Sequence, residues 1–227
     1  ITTPDREIEN VSRHISERGG VAPGRIVAHT SGAHSSGFLA GVREKGGLAV
    51  SIHPLQSFAD VEAAMGNLPG SYFALEGDRE AMPPAEQLVS DLKGKSFYIE
   101  AGDKALYHAA ACIASNYLVS LIHLSTGLYE KFGLSRKEAY MALLPLIQGT
   151  ISNIEKVGPV EALTGPVARG DSSTIEGHLP ALAGVGGEEE ALYRTLGSYT
   201  VRVALEKGSI DSDQAENLLK LFGGLSS

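Results

Sequence analysis

The chain has 227 residues, a formal net charge of −8, 43% apolar residues and 6% aromatic residues, enough to build a packed core without disulfides or metals. The acidic balance argues against a nucleic-acid partner, which needs a basic patch, and any anionic ligand would need a local positive site. The single cysteine, Cys112, cannot close an intrachain disulfide, which predicts a reducing, cytoplasmic setting without a signal peptide.

The first residues, Ile1-Thr2-Thr3, read as the tip of a β-strand, and no Met precedes them. This predicts a fragment or a processed chain whose first strand leaves an unpaired edge, a liability for association. Thr3-Pro4-Asp5 then reads as a helix start, with Thr3 as N-cap, Pro4 in the first helical position and Asp5 in the first turn. Ile8, Val11 and Ile15 form a helical stripe over Arg6–Glu17, ended by Gly19-Gly20. Short apolar runs at Arg25–His29, Leu48–His53, Ser71–Glu76 and Ser96–Glu100 predict strands, and Phe38–Lys45, Phe58–Met65 and Pro83–Leu92 predict the helices between them. Such alternation predicts a parallel α/β sheet.

After Gly102 only helical patterns follow, which predicts one domain over 1–102 and a second, all-helical one over 103–227. Asp103 is the expected cap of a helix running to about Lys131 and stopped by Gly133. Its apolar part, Ala105–Leu128, contains His108, Ser115, Asn116, Ser120, His123 and Ser125, so it predicts a buried helix of a soluble protein and no membrane span. Ser135-x-x-Glu138 is a capping box, and Pro145 is expected to kink the helix it opens. Ser173-x-x-Glu176 opens a short helix, and Glu188–Lys207 and Asp213–Phe222 give two more.

Four constellations carry chemistry. His29-Thr30-Ser31-Gly32-Ala33 directly follows a strand, where open parallel sheets bind ligands, and an ordinary strand-to-helix turn has the same composition. His53-Pro54-Leu55-Gln56-Ser57-Phe58 ends the next strand; its histidine either meets a ligand or only satisfies loop carbonyls. The histidines match no tight ligand motif, so no metal is expected. His108, Cys112 and Asn116 are spaced to share one helix face, a pattern that fits proton transfer and substrate orientation as well as satisfied core polar groups. Thr164-Gly165-Pro166 leads to Arg169-Gly170-Asp171, where the guanidinium suits a carboxylate or phosphate and the following helix start suits an anion. The alternative is a solvated Arg169–Asp171 pair. No G-x-G-x-x-G occurs in the chain.

Taken together, Thr3-Pro4-Asp5, the 29–33 and 53–58 segments, Glu76-Gly77-Asp78, Tyr107-His108-Ala109-Ala110-Ala111 with Ala114-Ser115-Asn116, and the 163–171 segment resemble the proteins that join a Rossmann-like domain to domain of unknown function 2520. These are similar to pyrroline-5-carboxylate reductase and ketopantoate reductase of the 6-phosphogluconate dehydrogenase-like superfamily. The resemblance implies the C-terminal half of a Rossmann-type parallel sheet followed by a helical, dimerising substrate domain. It implies NADP or NAD as cofactor, with the glycine-rich loop absent from this chain. Thr3, Pro4, His29, Thr30, Ser31 and Gly32 would then lie toward the cofactor. His53, Gln56, Thr164, Arg169 and Asp171 would bind a small carboxylate or imino acid, with His108 and Asn116 as catalytic residues. Related dehydrogenases carry a catalytic Lys four residues before the helix Asn; here that position is Cys112, and His108 is the substitute. The expectation is an NAD(P)-dependent oxidoreductase acting as a homodimer. Its rival is a non-catalytic metabolite- or dinucleotide-binding regulator using the same cleft.

Overall fold

A computed structural model describes residues 1–58, 60 and 65–224 of the chain, which fall into two compact units, Ile1–Val119 and Ser120–Ser227. The first unit is built on a four-stranded sheet in the order β1-β2-β3-β4. Its strands are β1 (Ile26–His29), β2 (Leu48–Leu55), β3 (Tyr72–Gly77) and β4 (Lys95–Tyr98). The expected parallel sheet is corrected here: β1–β2 and β3–β4 are parallel, but β2–β3 is antiparallel. Continuous apolar runs report that a strand is covered on both faces, and they carry no direction. The helix expected over Phe58–Met65 lies for most of its length outside the described residues.

Neighbouring residues of β2 face opposite sides of the sheet. Ala49 packs with Ile8, Val21, Leu39 and Val42, which brings in α1 (Ile8–Glu17) and α2 (Ala40–Glu44). Val50 and Ile52 pack with Phe73, Leu75, Ala81, Ala85 and Val89, and so bury the inner face of α3 (Met82–Asp91). Thr3 does not cap a helix. Pro4 takes an extended conformation ahead of a 3-10 turn, Asp5–Glu7, and α1 follows at Ile8.

The Glu76-Gly77-Asp78 segment ties the end of β3 to the opposite edge of the sheet. The buried Glu76 carboxylate accepts from the Ser36 backbone N–H (2.6 Å) and from its hydroxyl (2.8 Å). Asp78 accepts from the Ala49 backbone N–H at 2.6 Å and from Arg43 Nε at 2.9 Å. Charge-assisted bonds of this kind are the strong ones. Gly77, at φ +143°, passes so close to β2 that a Cβ would sit 2.3 Å from the Ala49 carbonyl oxygen.

From Lys104 the chain is helical: α4 (Lys104–Ala114) and α5 (Asn116–Tyr129) are separated at Ser115. Asp103 makes no side-chain cap bond, and Gly133 closes the segment at φ +81° in the left-handed region. The expectation of a buried helix is corrected. Among the described residues of α4 and α5 only Lys104 and Thr126 are buried, while Leu106, Ile113 and Val119 are 74, 61 and 66% exposed. Apolar composition shows that a helix needs a partner surface, and does not say whether its own chain provides one. On length and composition alone the stretch Ala101–Phe132, which holds an 18-residue window of mean hydropathy 1.4, is apolar enough to cross a membrane.

The second unit continues with α6 (Arg136–Glu161), α7 (Ser172–Ala183), α8 (Gly187–Glu206) and α9 (Ser212–Phe222). Both bonds of the Ser135–Glu138 capping box form. The kink in α6 falls at Gly158 (φ 82°, ψ 164°), before Pro159, and not at Pro145. A proline pushes the residue before it out of the helical region, and glycine yields at the least cost. α7 starts one residue before Ser173 and is capped by Asp171, whose carboxylate accepts from the Thr174 N–H. The core of this unit gathers Ile175, Leu179, Val201, Leu218 and Phe222, among others.

Candidate functional site

The site in the first unit follows from a reversal of the chain after β4. That strand ends at Tyr98, in register with Leu75, which pairs with Ile52. The helical segment that follows brings Lys104 beside Ser51 and Tyr107 beside His53.

Each of these contacts is a hydrogen bond. Lys104 is 2% exposed, and its ammonium donates to the Ser31 carbonyl at 2.8 Å and to Ser51 Oγ at 2.7 Å. Burial pulls its pKa down to about 8. The Ser31 hydroxyl donates to Asp5 at 2.7 Å. His53 Nδ1 meets the Tyr107 hydroxyl at 2.6 Å. Burial, followed by the charge of Lys104 and then that of His108, lowers His53 to about 4, whereas burial raises Tyr107 to about 12. At neutral pH His53 is therefore an uncharged imidazole bonded to an un-ionised phenol.

Gly32 lies between the two imidazoles. A Cβ on it would be 2.7 Å from both His53 Nε2 and His108 Nδ1. His108 Nδ1 is buried with no hydrogen-bond partner among the described residues, and its Nε2 is 3.7 Å from Cys112 Sγ. Buried polar atoms are rarely left unsatisfied, and one that is calls for an explanation. An open cleft of about 630 Å³ adjoins this group; His53, Gln56, Tyr107, His108, Cys112 and Asn116 line it, with Leu55, Phe97 and the alanines of α4 as apolar wall.

A family model described as Rossmann-like domain matches residues 1–54, and one described as Domain of unknown function (DUF2520) matches residues 71–200. The chain belongs to the DUF2520 family. Among solved structures it is similar to protein TM1727 from Thermotoga maritima, at 32% identity over 91% of this chain and 78% of that one, with a TM-score of 0.77. The fold is shared with BF3122 from Bacteroides fragilis, a proposed NADP oxidoreductase, at 21% identity, covering 88% and 73% of the two chains with a TM-score of 0.65. It is also shared with 1-pyrroline-5-carboxylate reductase from Streptococcus pyogenes, at 18% identity, 92% and 74% coverage and a TM-score of 0.53. No curated protein matches.

In this DUF2520 chain the residues singled out from sequence separate into three groups. His53, Gln56, His108 and Asn116 line the one cleft, with the Gln56 amide already bonded to Ser71 and Asn67. Ser31 and Gly32 are buried behind it, and His29 is fully buried: its Nε2 bonds the Ser35 carbonyl and its Nδ1 accepts the Ser31 N–H. His29 thus shapes the 29–35 turn and does not face the cleft. Thr30 points elsewhere, into an apolar hollow of about 680 Å³ shared with Thr2, Pro54 and Phe73, while Thr3 and Pro4 are exposed.

Thr164, Arg169 and Asp171 belong to the second unit. There the Asp171 carboxylate is engaged by Thr174 and Ser173, which hold its pKa at about 2 and occupy the start of α7 that was expected to attract an anion. Lys104 and Tyr107 were not among the predicted site residues. Tyr107 adjoins the His108 motif and was within reach of sequence reasoning; Lys104 becomes visible only once Ser31 and Ser51 are brought to it.

Proposed function

We propose that this protein is an NAD(P)-dependent oxidoreductase acting on a small carboxylate or imino acid. The observation that carries the reading is the buried, unpartnered His108 Nδ1 facing Gly32 at the end of a Rossmann-like sheet. A dinucleotide fits these residues at its reactive end: Gly32 lets the turn pack directly against both imidazoles, the adjoining cleft is open, and His108 carries a nitrogen without a partner among the described residues. The chain contains no G-x-G-x-x-G to hold the phosphates. When bound, the nicotinamide supplies the hydride. His108 exchanges a proton with the reacting oxygen or nitrogen of the substrate. The neutral His53, fixed by Tyr107, accepts or donates a hydrogen bond beside it, and Asn116 orients the substrate.

The test is oxidation of NADPH and NADH by the complete gene product against keto and imino acids. With turnover present, His108→Ala is expected to lower kcat by about 10²-fold or more with little change in substrate affinity. Absence of both turnover and calorimetric NADPH binding would remove the reading and favour the regulatory alternative.

We also infer a homodimer. Leu106, Ile113, Tyr117 and Val119 on α4–α5, and Leu146 and Val157 on α6, are each more than half exposed, and exposed apolar rows of this size favour a partner surface. Sedimentation equilibrium without detergent is expected to give twice the chain mass, and Ile113→Glu is expected to lower it toward one. A monodisperse single-chain mass for the unaltered protein would refute the dimer.

A further inference from the structure

Among the described residues one ammonium group is buried without a carboxylate in contact. Lys104 Nζ bonds two uncharged acceptors, the Ser31 carbonyl and the Ser51 hydroxyl. The carboxylates nearest in electrostatic effect, Glu76 and Asp5, are held by Ser36 and by the Ser31 hydroxyl respectively. Burying a charge in this way is costly, and a neutral side chain could bridge the same two oxygens. The location of the charge supplies a reason for keeping it. Ser31 precedes Gly32, the residue in contact with both imidazoles, and Lys104 lies one helical turn before His108 on α4. One side chain therefore joins the Gly32 turn to the helix bearing His108.

We propose that Lys104 is a positioning residue for the His53–His108 pair, clamping the turn that carries Gly32 and setting a fixed positive charge behind the imidazoles. The charge disfavours a proton on His53. The charged groups acting on that ring are Lys104 and His108, which oppose protonation, and Asp5, which favours it, and the un-ionised Tyr107 hydroxyl bonds its Nδ1. Burial acts in the same sense as Lys104, so removing the ammonium relieves part of the effect. The proposal gives the suggested catalytic site a further member, but its readout involves no substrate or cofactor. Failure to find turnover would sink the oxidoreductase reading and leave this one standing.

The experiment is an NMR titration of the histidine rings in the full chain, with His53 assigned by its loss in His53→Asn. In Lys104→Met and Lys104→Gln the His53 midpoint is expected to rise by about one pH unit, and Lys104→Arg is expected to keep it low. Gln retains a donor for Ser31, so a purely structural bridge predicts an unmoved midpoint in that variant. An unmoved midpoint in a folded neutral variant overturns the proposal. The unaltered protein gives a second reading through its lysine side-chain resonances. One ammonium should be protected from exchange and titrate below the others; lysines that all titrate together at their ordinary value also overturn the proposal.

Discussion

Gly32→Ala is expected to remove activity while leaving most of the stability in place. The added methyl would meet His53 Nε2 and His108 Nδ1 at 2.7 Å and His53 Cε1 at 2.8 Å. These are the ends of side chains, so the rings will swing away before the backbone deforms. His53 would have to give up its bond to Tyr107 or tilt within it, and His108 would move toward the cleft. A displacement of about 1 Å of positioned groups costs on the order of 10²-fold in rate. The check is kcat/KM alongside a urea midpoint. The expected pattern is a fall of about 10²-fold in the first and a loss of about 1 kcal/mol in stability. Unchanged kinetics would mean that the two imidazoles are not the working groups.

Gly77→Ala should show the opposite pattern, with the fold giving way first. Here the obstacle is backbone: the Cβ would lie 2.3 Å from the Ala49 oxygen and 2.7 Å from Val50 Cα, at a φ of +143° that L-residues avoid. Strain of that kind costs about 1–3 kcal/mol by itself. Pushing β2 and β3 apart would also disturb the bonds from Glu76 to Ser36 and from Asp78 to Ala49. A combined loss on the order of 4 kcal/mol is expected, seen as a collapse of the thermal midpoint or as insoluble protein. A variant that melts with the unaltered chain would show that the turn accepts another backbone path.

The local rules of the sequence carried far. Apolar runs located all four strands, and the capping box at Ser135 and the stop at Gly133 stand where residue chemistry put them. Each depends on groups a few positions apart. What the sequence hid depends on distant partners. The direction of β3 is set by pairing with β2, to which its apolar run is indifferent. The role of Lys104 depends on a carbonyl 73 positions away. His29 and His53 each follow a strand and look alike in sequence, but one fastens its own turn and the other opens onto the cleft. Asp171 preceded the expected cap at Ser173 and took over its task because a carboxylate satisfies the first N–H groups of a helix better than a hydroxyl beside it. The site was legible as residue types, and its division into cleft-facing and turn-holding members was not.

The alanine-rich wall of α4 has a bearing on selectivity. The described residues lining the cleft include no carboxylate, ammonium or guanidinium, and the ammonium behind it is sealed off from solvent. A solute entering from the bulk leaves the influence of a chain carrying −8 and meets directional donors and acceptors on a greasy floor. Ionic strength should then matter for its approach and little for its residence against this wall.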